Sequence, residues 1–197
     1  MHPDNRQLTL SGELKRKTIH LATAVIPLLY YFCLTREQII IVLVLLTTAF
    51  LGAELARQRW SWAKKIFARI FFPLLRESEK YYSLTGATLF LLAATATCIL
   101  FERPIAVTAV LILSISDSLA AVTGRTWGRH KFFAKSLEGS ATFFLCTMVL
   151  LIIFMSGLHI LELLLVAGVV TLVEAAIAVN DNLTIPLAAA LSLKLIS

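Results

Sequence analysis

Charge is scarce in this chain. Only 15% of its 197 residues are Asp, Glu, Lys or Arg, against 58% hydrophobic, where a soluble domain carries nearer a quarter charged. That shortage excludes a soluble globular domain. Cysteine is equally sparse: Cys33, Cys98 and Cys146 stand far apart. They lack the paired spacing of a zinc site or redox dithiol and are expected to be small buried apolar residues. No repeat with a period of 20 to 50 residues and no low-complexity linker stands out, so residues 1–197 are expected to form one transmembrane domain. A cleavable leader is also missing from the pattern. The first ten residues are polar, and the first apolar run follows Lys15-Arg16-Lys17 without a small-residue cleavage site, so that run is expected to be a retained helix.

What the chain does have is long uncharged stretches, such as Gln38 to Ala53 and Gly139 to Leu161. They suit a hydrocarbon layer about 30 Å thick, which takes about 20 helical residues to cross. The expected fold is therefore all-α: a polytopic integral membrane helix bundle of about seven transmembrane helices. The spans fall at 18–34, 38–56, 84–101, 104–122, 138–158, 160–179 and 183–196. Between the second and third, residues 58–80 alternate Trp60, Trp62, Ile66, Phe67, Ile70, Phe71 and Leu74 with Lys64, Lys65, Arg69 and Arg76 at helical spacing. This segment is expected to be an amphipathic interfacial helix, either a simple link or a wall for a lipid substrate.

Basic residues orient the bundle. Arg6, Lys15, Arg16 and Lys17 precede the first span, seven more lie in residues 57–80, and Arg125, Arg129, Lys131 and Lys135 lie in the 123–136 loop. Thus 15 of 18 fall on one side, with only Arg36, Arg103 and Lys194 opposite. By the positive-inside rule that side, including the amino terminus, is expected to be cytoplasmic. Acidic residues in or beside spans cost about 2.5–3.5 kcal/mol each on insertion scales, and the costly ones gather at the same face. Glu54 closes the second span there, Asp117 lies in the fourth, Glu138 opens the fifth, Glu174 ends the sixth, and Asp181 turns into the seventh. Glu37, Glu102 and Glu162 sit at the other ends as interface charges.

Acids beside a basic loop at one membrane face are what a nucleotide with its Mg2+ requires, since cations hold phosphates and carboxylates hold metal. Gly124 and Gly128 let backbone approach phosphate, Arg125 and Arg129 offer bidentate contacts, and Lys131 adds a charge. Lys135 and Ser136 then precede a helix start, where free N–H groups favour an anion. The competing reading is a loop that serves topology alone. Asp117 and Glu138 weigh against it, because topology demands no acid inside the membrane. His20 is either a proton carrier or an interface anchor. Glu54 has Arg57 at helical spacing as a structural partner. Glu174 and Asp181 share a face if the helix runs on, as two metal ligands would; otherwise Asp181 is a helix cap.

Asp117-Ser118-Leu119-Ala120-Ala121-Val122-Thr123-Gly124-Arg125, then Trp127-Gly128-Arg129-His130-Lys131 and Lys135-Ser136-Leu137-Glu138-Gly139-Ser140, resembles the CTP-dependent lipid kinases that include dolichol, phytol and yeast-type diacylglycerol kinases. Glu13 with Arg16-Lys17 and His20, Gly86-Ala87, and Glu174 with Asp181 to Pro186 are similar, in order, to that family's amino-terminal, central and carboxyl-terminal patterns. The 117–140 block also looks like part of phosphatidate cytidylyltransferase. The His-Gly-Gly run of those enzymes has no counterpart, because no Gly-Gly pair occurs.

The resemblance implies a kinase that moves the γ-phosphoryl of CTP to a membrane lipid alcohol of polyprenol, phytol or diacylglycerol type. Catalytic roles are expected for Asp117, Lys135, Glu138 and Asp181, with Asp117, Glu174 and Asp181 on Mg2+. Gly124, Arg125, Gly128, Arg129, Lys131, Lys135 and Ser136 are expected at the nucleotide, and His20, Glu54, Gly86 and Asn182 at the lipid. The active site is expected at the cytoplasmic face. No nucleic acid is implied, and a homo-oligomer is left open. The two rivals are a cytidylyltransferase and a transporter.

Overall fold

The computed structural model describes residues 10–71, 84–176 and 180–197. It is a helical bundle: α1 (Leu10–Ala22), α2 (Val25–Phe32), α3 (Arg36–Arg59), α4 (Ser61–Phe71), α5 (Gly86–Leu100), α6 (Arg103–Leu111), α7 (Asp117–Trp127), a short hairpin of β1 (Lys131–Phe132) and β2 (Lys135–Ser136), then α8 (Leu137–Phe154), α9 (Ile160–Ala176) and α10 (Asp181–Ile196). A π-helical turn, Ile112–Ser116, joins α6 to α7 without a break. Among the described residues three helices are long and apolar enough to cross a membrane by themselves: Arg36–Arg59, the continuous Arg103–Trp127 and Leu137–Phe154. The described parts of the other expected spans are mostly helical, in shorter helices.

The first span departs from expectation. Helix α1 begins at Leu10 and carries Lys15, Arg16 and Lys17 within it, and the chain breaks at Thr23–Ala24 before α2. Those cations are therefore helical residues; Lys15 is exposed, while Arg16 is half-buried and Lys17 buried. The cysteine expectation also needs correction, since only Cys98 is buried, Cys146 is half-buried and Cys33 is exposed. In a bundle whose surroundings are lipid, an apolar side chain gains nothing by facing inward. The exposed Ile41, Leu45, Leu100, Leu145 and Leu161 follow the same logic.

The interior is rich in small polar residues. Thr47 meets Thr95 at 2.9 Å and Thr147 meets Ser116 at 3.1 Å, each tie joining different helices, and Thr23 in the break after α1 meets Ser114 at 3.0 Å. Such residues let backbones approach where no hydrophobic force drives helices together. The Arg103–Trp127 helix is the most enclosed, and its apolar face from Ile105 to Leu113 is almost fully buried. At one end, Arg36 donates to the Ile99 carbonyl, Arg103 to the Leu34 carbonyl, and Lys194 pairs with Glu102 at 3.0 Å. The three basic residues assigned to the minority side thus share one end of the bundle.

The expected interfacial segment is helical as α4 over its described part, and residues 72–80 lie outside the described residues. Trp60 and Trp62 are exposed and stacked, 6.2 Å between ring centres, which suits amphipathic rings at a membrane interface. Arg57 reaches over the Phe67 ring at 4.7 Å and ties α4 back to α3.

Candidate active site

The site begins at Asp117, the first α-helical residue after the π turn. A π turn inserts an extra residue and re-aims the side chains that follow, and such turns recur at functional sites. Here it leaves Asp117 1% exposed at the centre of the bundle. A bare carboxylate at that depth needs a partner. Lys17, itself 5% exposed on α1, forms an ion pair with Asp117 Oδ2, and His20 Nε2 lies 3.9 Å from the same oxygen. Asp117 Oδ1 and His20 Nε2 are buried with no hydrogen-bond partner. The pairing spans 100 residues of sequence, so α1 and α7 fix each other here.

A second charge cluster sits beside the first. Lys135 on β2 reaches Asp181 at 2.8 Å and Glu174 at 3.2 Å. Glu174 also accepts from Ser140 at 3.2 Å. Strand pairing places Lys131 opposite Ser136 and Phe132 opposite Lys135, and Ala134 N–H donates to the Ala175 carbonyl, pinning the hairpin to the end of α9. The tight turn puts Phe133 at φ 50°. Burial alone would lower the Lys135 pKa, but the carboxylates of Asp181, Glu174 and Asp117 outweigh it and hold the pKa above the ordinary lysine value. Lys135 is therefore a fixed cation.

Ser136 caps α8, its hydroxyl accepting from Gly139 N–H at 3.1 Å. The glycines crowd that hydroxyl: a Cβ on Gly124 or Gly128 would come within 2.8 Å of Ser136 Oγ, and one on Gly139 within 3.0 Å of it and of the Ala120 carbonyl. Glycine is thus required where α7, the hairpin and the start of α8 converge. Between these elements lies a polar cavity of about 400 Å³, lined by Arg16, Lys17, Gly124, Arg125, Lys135, Ser136, Gly139, Glu174 and Asp181, with Ala120, Ala121 and Ala134. Cations and a helix start facing one space are what a polyphosphate requires.

On the other side of α1 is an apolar groove, also about 400 Å³. Its walls include Ile19, Ile26, Leu46, Phe50, Phe67, Phe90 and Leu91, and its polar end holds Arg16, His20, Gly86 and Asn182. His20 packs edge-on to Phe90, and Asn182 Nδ2 donates to the Gly86 carbonyl at 3.0 Å. Arg16 lines both spaces. The polar cavity and the apolar groove therefore meet at the α1 face that carries Arg16, Lys17 and His20, beside Asp117.

The structure gathers most of the residues singled out from sequence, though not all. Lys135, Glu174, Asp181, Gly124, Arg125 and Ser136 surround the polar cavity, and His20, Gly86 and Asn182 line the groove. Glu54 lines neither. Its buried carboxylate pairs with Arg57 and accepts from Thr85 N–H at 2.9 Å and Thr88 Oγ1 at 3.2 Å, bracing α3 against the start of α5. Arg129 and Lys131 are exposed and outside the cavity lining, as is Gly128. Glu138 faces His130 at 2.8 Å, so the carboxylates that hold Lys135 are Glu174 and Asp181. Asn180, just before α10, has non-helical dihedrals, so Glu174 and Asp181 do not lie along one unbroken helix. They converge on Lys135, and among the described residues no three His, Cys, Asp or Glu form a ready metal-ligand set.

Two residues were not expected in these roles. Lys17, which neutralises Asp117, and Arg16, at the seam, were counted as topology charges and as part of the family's amino-terminal pattern, with no site role of their own. The available signal was their spacing: Arg16 and Lys17 lie four and three residues before His20 and so share its face on a helix.

Comparison with known proteins places the chain. It is 31% identical over 189 residues to an uncharacterized protein of Rickettsia prowazekii, covering 91% of this chain and 92% of that one. It is 32% identical over 145 residues to CTP-dependent diacylglycerol kinase 1 of Schizosaccharomyces pombe, covering 71% of this chain and 66% of that protein. It is 36% identical over 94 residues to phytol kinase of Synechocystis, covering 42% of this chain and 40% of that protein. No family model and no solved structure matches, and a likeness to phosphatidate cytidylyltransferase is not shown.

Proposed function

Because the chain belongs to the family of CTP-dependent lipid kinases, we propose that it transfers the γ-phosphoryl of CTP to the hydroxyl of a membrane lipid alcohol. The observation that carries this reading is the meeting of the two cavities. A charged space fit for a triphosphate and an apolar groove fit for a hydrocarbon tail share Arg16 as a common wall. Phosphoryl transfer needs little covalent work from the protein; it needs the two reactants in line and the charge neutralised.

Lys135, Arg125 and Lys17 hold the phosphates from the polar side, with Gly124, Ser136 and Gly139 letting the chain close around them. Lys135 is held in place by Glu174 and Asp181. The alcohol enters along the groove with its tail in the bilayer and its hydroxyl toward His20 and Asp117. The hydroxyl oxygen bonds to the γ-phosphorus while the bond from that phosphorus to the β–γ bridging oxygen breaks. The electron pair leaves with CDP, and Asp117 or His20 takes the hydroxyl proton. A Mg2+ ion arriving with a nucleotide would supply charge neutralisation and would need one or two carboxylates to hold it. Asp117, with its unpartnered Oδ1, and the partly exposed Asp181 fit that need. The face is assigned to the cytoplasm by the basic-residue asymmetry.

Steady-state kinetics on two variants test the two-sided site. Arg125→Ala should raise KM for CTP at least about tenfold and leave KM for the alcohol near normal; Leu91→Trp, which fills the groove, should do the reverse. If both variants shift the same substrate's KM, the division into nucleotide and lipid sides is wrong.

A further inference from the structure

We infer that Lys17 couples the two substrates to each other. It shields Asp117 until the phosphates of a nucleotide draw it away and open Asp117 to the alcohol hydroxyl, so that each substrate tightens the binding of the other. This inference rests on the kinase reading and adds an order of events at the same site.

Asp117 lines neither the charged cavity nor the apolar groove, but its two neighbours do. Lys17 pairs with Asp117 Oδ2, lies 3.5 Å from the Asp117 carbonyl and forms part of the charged cavity's wall. His20, 3.9 Å from the same Oδ2, forms part of the groove's wall. The carboxylate therefore sits one layer behind each space. Phosphates arriving in the cavity meet the lysine first, and an alcohol arriving in the groove meets the histidine first. Asp117 Oδ1 and His20 Nε2 are both buried without a hydrogen-bond partner, so a hydroxyl placed between them finds an acceptor that the protein has not used.

Two lysines face the charged cavity, and they are held differently. Lys135 is clamped between Glu174 at 3.2 Å and Asp181 at 2.8 Å, so it keeps a carboxylate when one of its donors turns to a phosphate. Among the described residues Lys17 pairs with one acid, Asp117. A triphosphate held by Lys135 and Arg125 brings several negative charges to a wall where Lys17 answers only one, so the lysine gains more from the phosphates than it gives up. Its withdrawal leaves Asp117, 1% exposed, as a buried carboxylate without its counter-charge, which is a costly state. An alcohol hydroxyl that donates to this carboxylate relieves part of the cost. Alcohol binding is therefore favoured once nucleotide holds Lys17, and by linkage the alcohol favours nucleotide binding by the same factor. Lys17 is a positioning residue: it acts on the alcohol through Asp117.

The test titrates β,γ-methylene-CTP, which cannot give up its γ-phosphoryl, into the full-length protein in nanodiscs at fixed Mg2+, read by calorimetry. The nanodiscs carry no additive, or whichever of phytol and 1,2-dioleoylglycerol the protein phosphorylates, or the O-methyl ether of that alcohol, which has no hydroxyl to donate. The alcohol should tighten analogue binding about tenfold or more, and the ether less than about twofold, on the usual scale of coupling between sites. In Lys17→Met the alcohol should change analogue affinity by less than about twofold. Because Lys17→Met strips a buried counter-charge, a measurement on the parent stands beside it. The carboxylate infrared band that Asp117→Asn lacks should shift when the analogue is added without alcohol. No coupling in the parent, full coupling in folded Lys17→Met, or an unmoved Asp117 band overturns the inference and leaves the kinase reading intact. Failure to phosphorylate either alcohol, in folded protein that binds the analogue, removes the kinase reading and this inference with it.

Discussion

Replacing Asp117 by Asn separates what the carboxylate does for the fold from what it does for the reaction. The substitution keeps volume and hydrogen-bonding capacity but removes the charge facing Lys17, and both residues are nearly inaccessible, at 1% and 5% exposure. Removing one member of a buried ion pair leaves the other without a counter-charge, at a cost of about 3–5 kcal/mol. Asp117→Asn should therefore be clearly less heat-stable in nanodiscs than the parent. Lys17→Met with Asp117→Asn removes both charges and should recover most of that loss, giving a coupling energy of about 2–3 kcal/mol in the double-mutant cycle. Turnover should behave differently. Both proteins should lose about 100-fold or more in kcat, because a positioned metal ligand or proton acceptor cannot be supplied by restoring stability. Raised Mg2+ should partly rescue a ligand defect and leave a lost base unchanged. Parent-like stability of the single variant would refute the buried pair. Turnover within about tenfold of the parent, a barrier change of about 1.4 kcal/mol, would remove Asp117 from the reaction.

Lys135→Met removes a charge-assisted phosphate contact and should weaken CTP binding by about 1.5–3 kcal/mol, read by calorimetry on the nanodisc sample. It also leaves Glu174 and Asp181 facing each other, so thermal stability should fall too; unchanged CTP affinity in folded protein would return the 123–136 loop to a purely topological role. Glu54→Gln should lower stability by breaking the buried pair with Arg57, while the KM values for CTP and lipid stay within about twofold; a large rise in lipid KM alone would place Glu54 at the substrate. Gly139→Ala pushes a methyl to 3.0 Å from the Ala120 carbonyl, so α7 and α8 must part and CTP affinity should drop by several-fold in a binding assay; parent-like affinity would show that the junction yields freely. A cysteine introduced at Thr126 should resist an impermeant thiol reagent added to intact cells, and ready labelling would reverse the assigned orientation.

The helices were legible in the sequence because lipid imposes length and apolarity on every span, a constraint strong enough to read from Gln38–Ala53 or Gly139–Leu161 alone. The shared acidic face was legible for a similar reason: Asp117 and Glu174 are costly enough to need explanation wherever they occur. Pairing was not legible. Nothing near Lys17 in the chain marks Asp117 as its partner, because the contact is made by folding over 100 residues. Nor does spacing show that Lys135 draws Glu174 and Asp181 together, since the hairpin that delivers it is only two short strands. The site roles of Arg16 and Lys17 were missed because a positive-inside count registers charge and ignores the helix face that bears it. The exposed Cys33 shows the same blindness from the other direction: apolarity signals burial in water-soluble proteins but not in a bundle whose outer surface meets lipid.

The most direct test supplies CTP labelled at the α-phosphorus or at the γ-phosphorus to the purified protein with a lipid alcohol and follows the label into the lipid fraction. The account predicts that γ-label enters the lipid as a monophosphate with CDP released, and that α-label stays in the aqueous phase. Entry of α-label into the lipid with release of pyrophosphate, or entry of neither label, would contradict it.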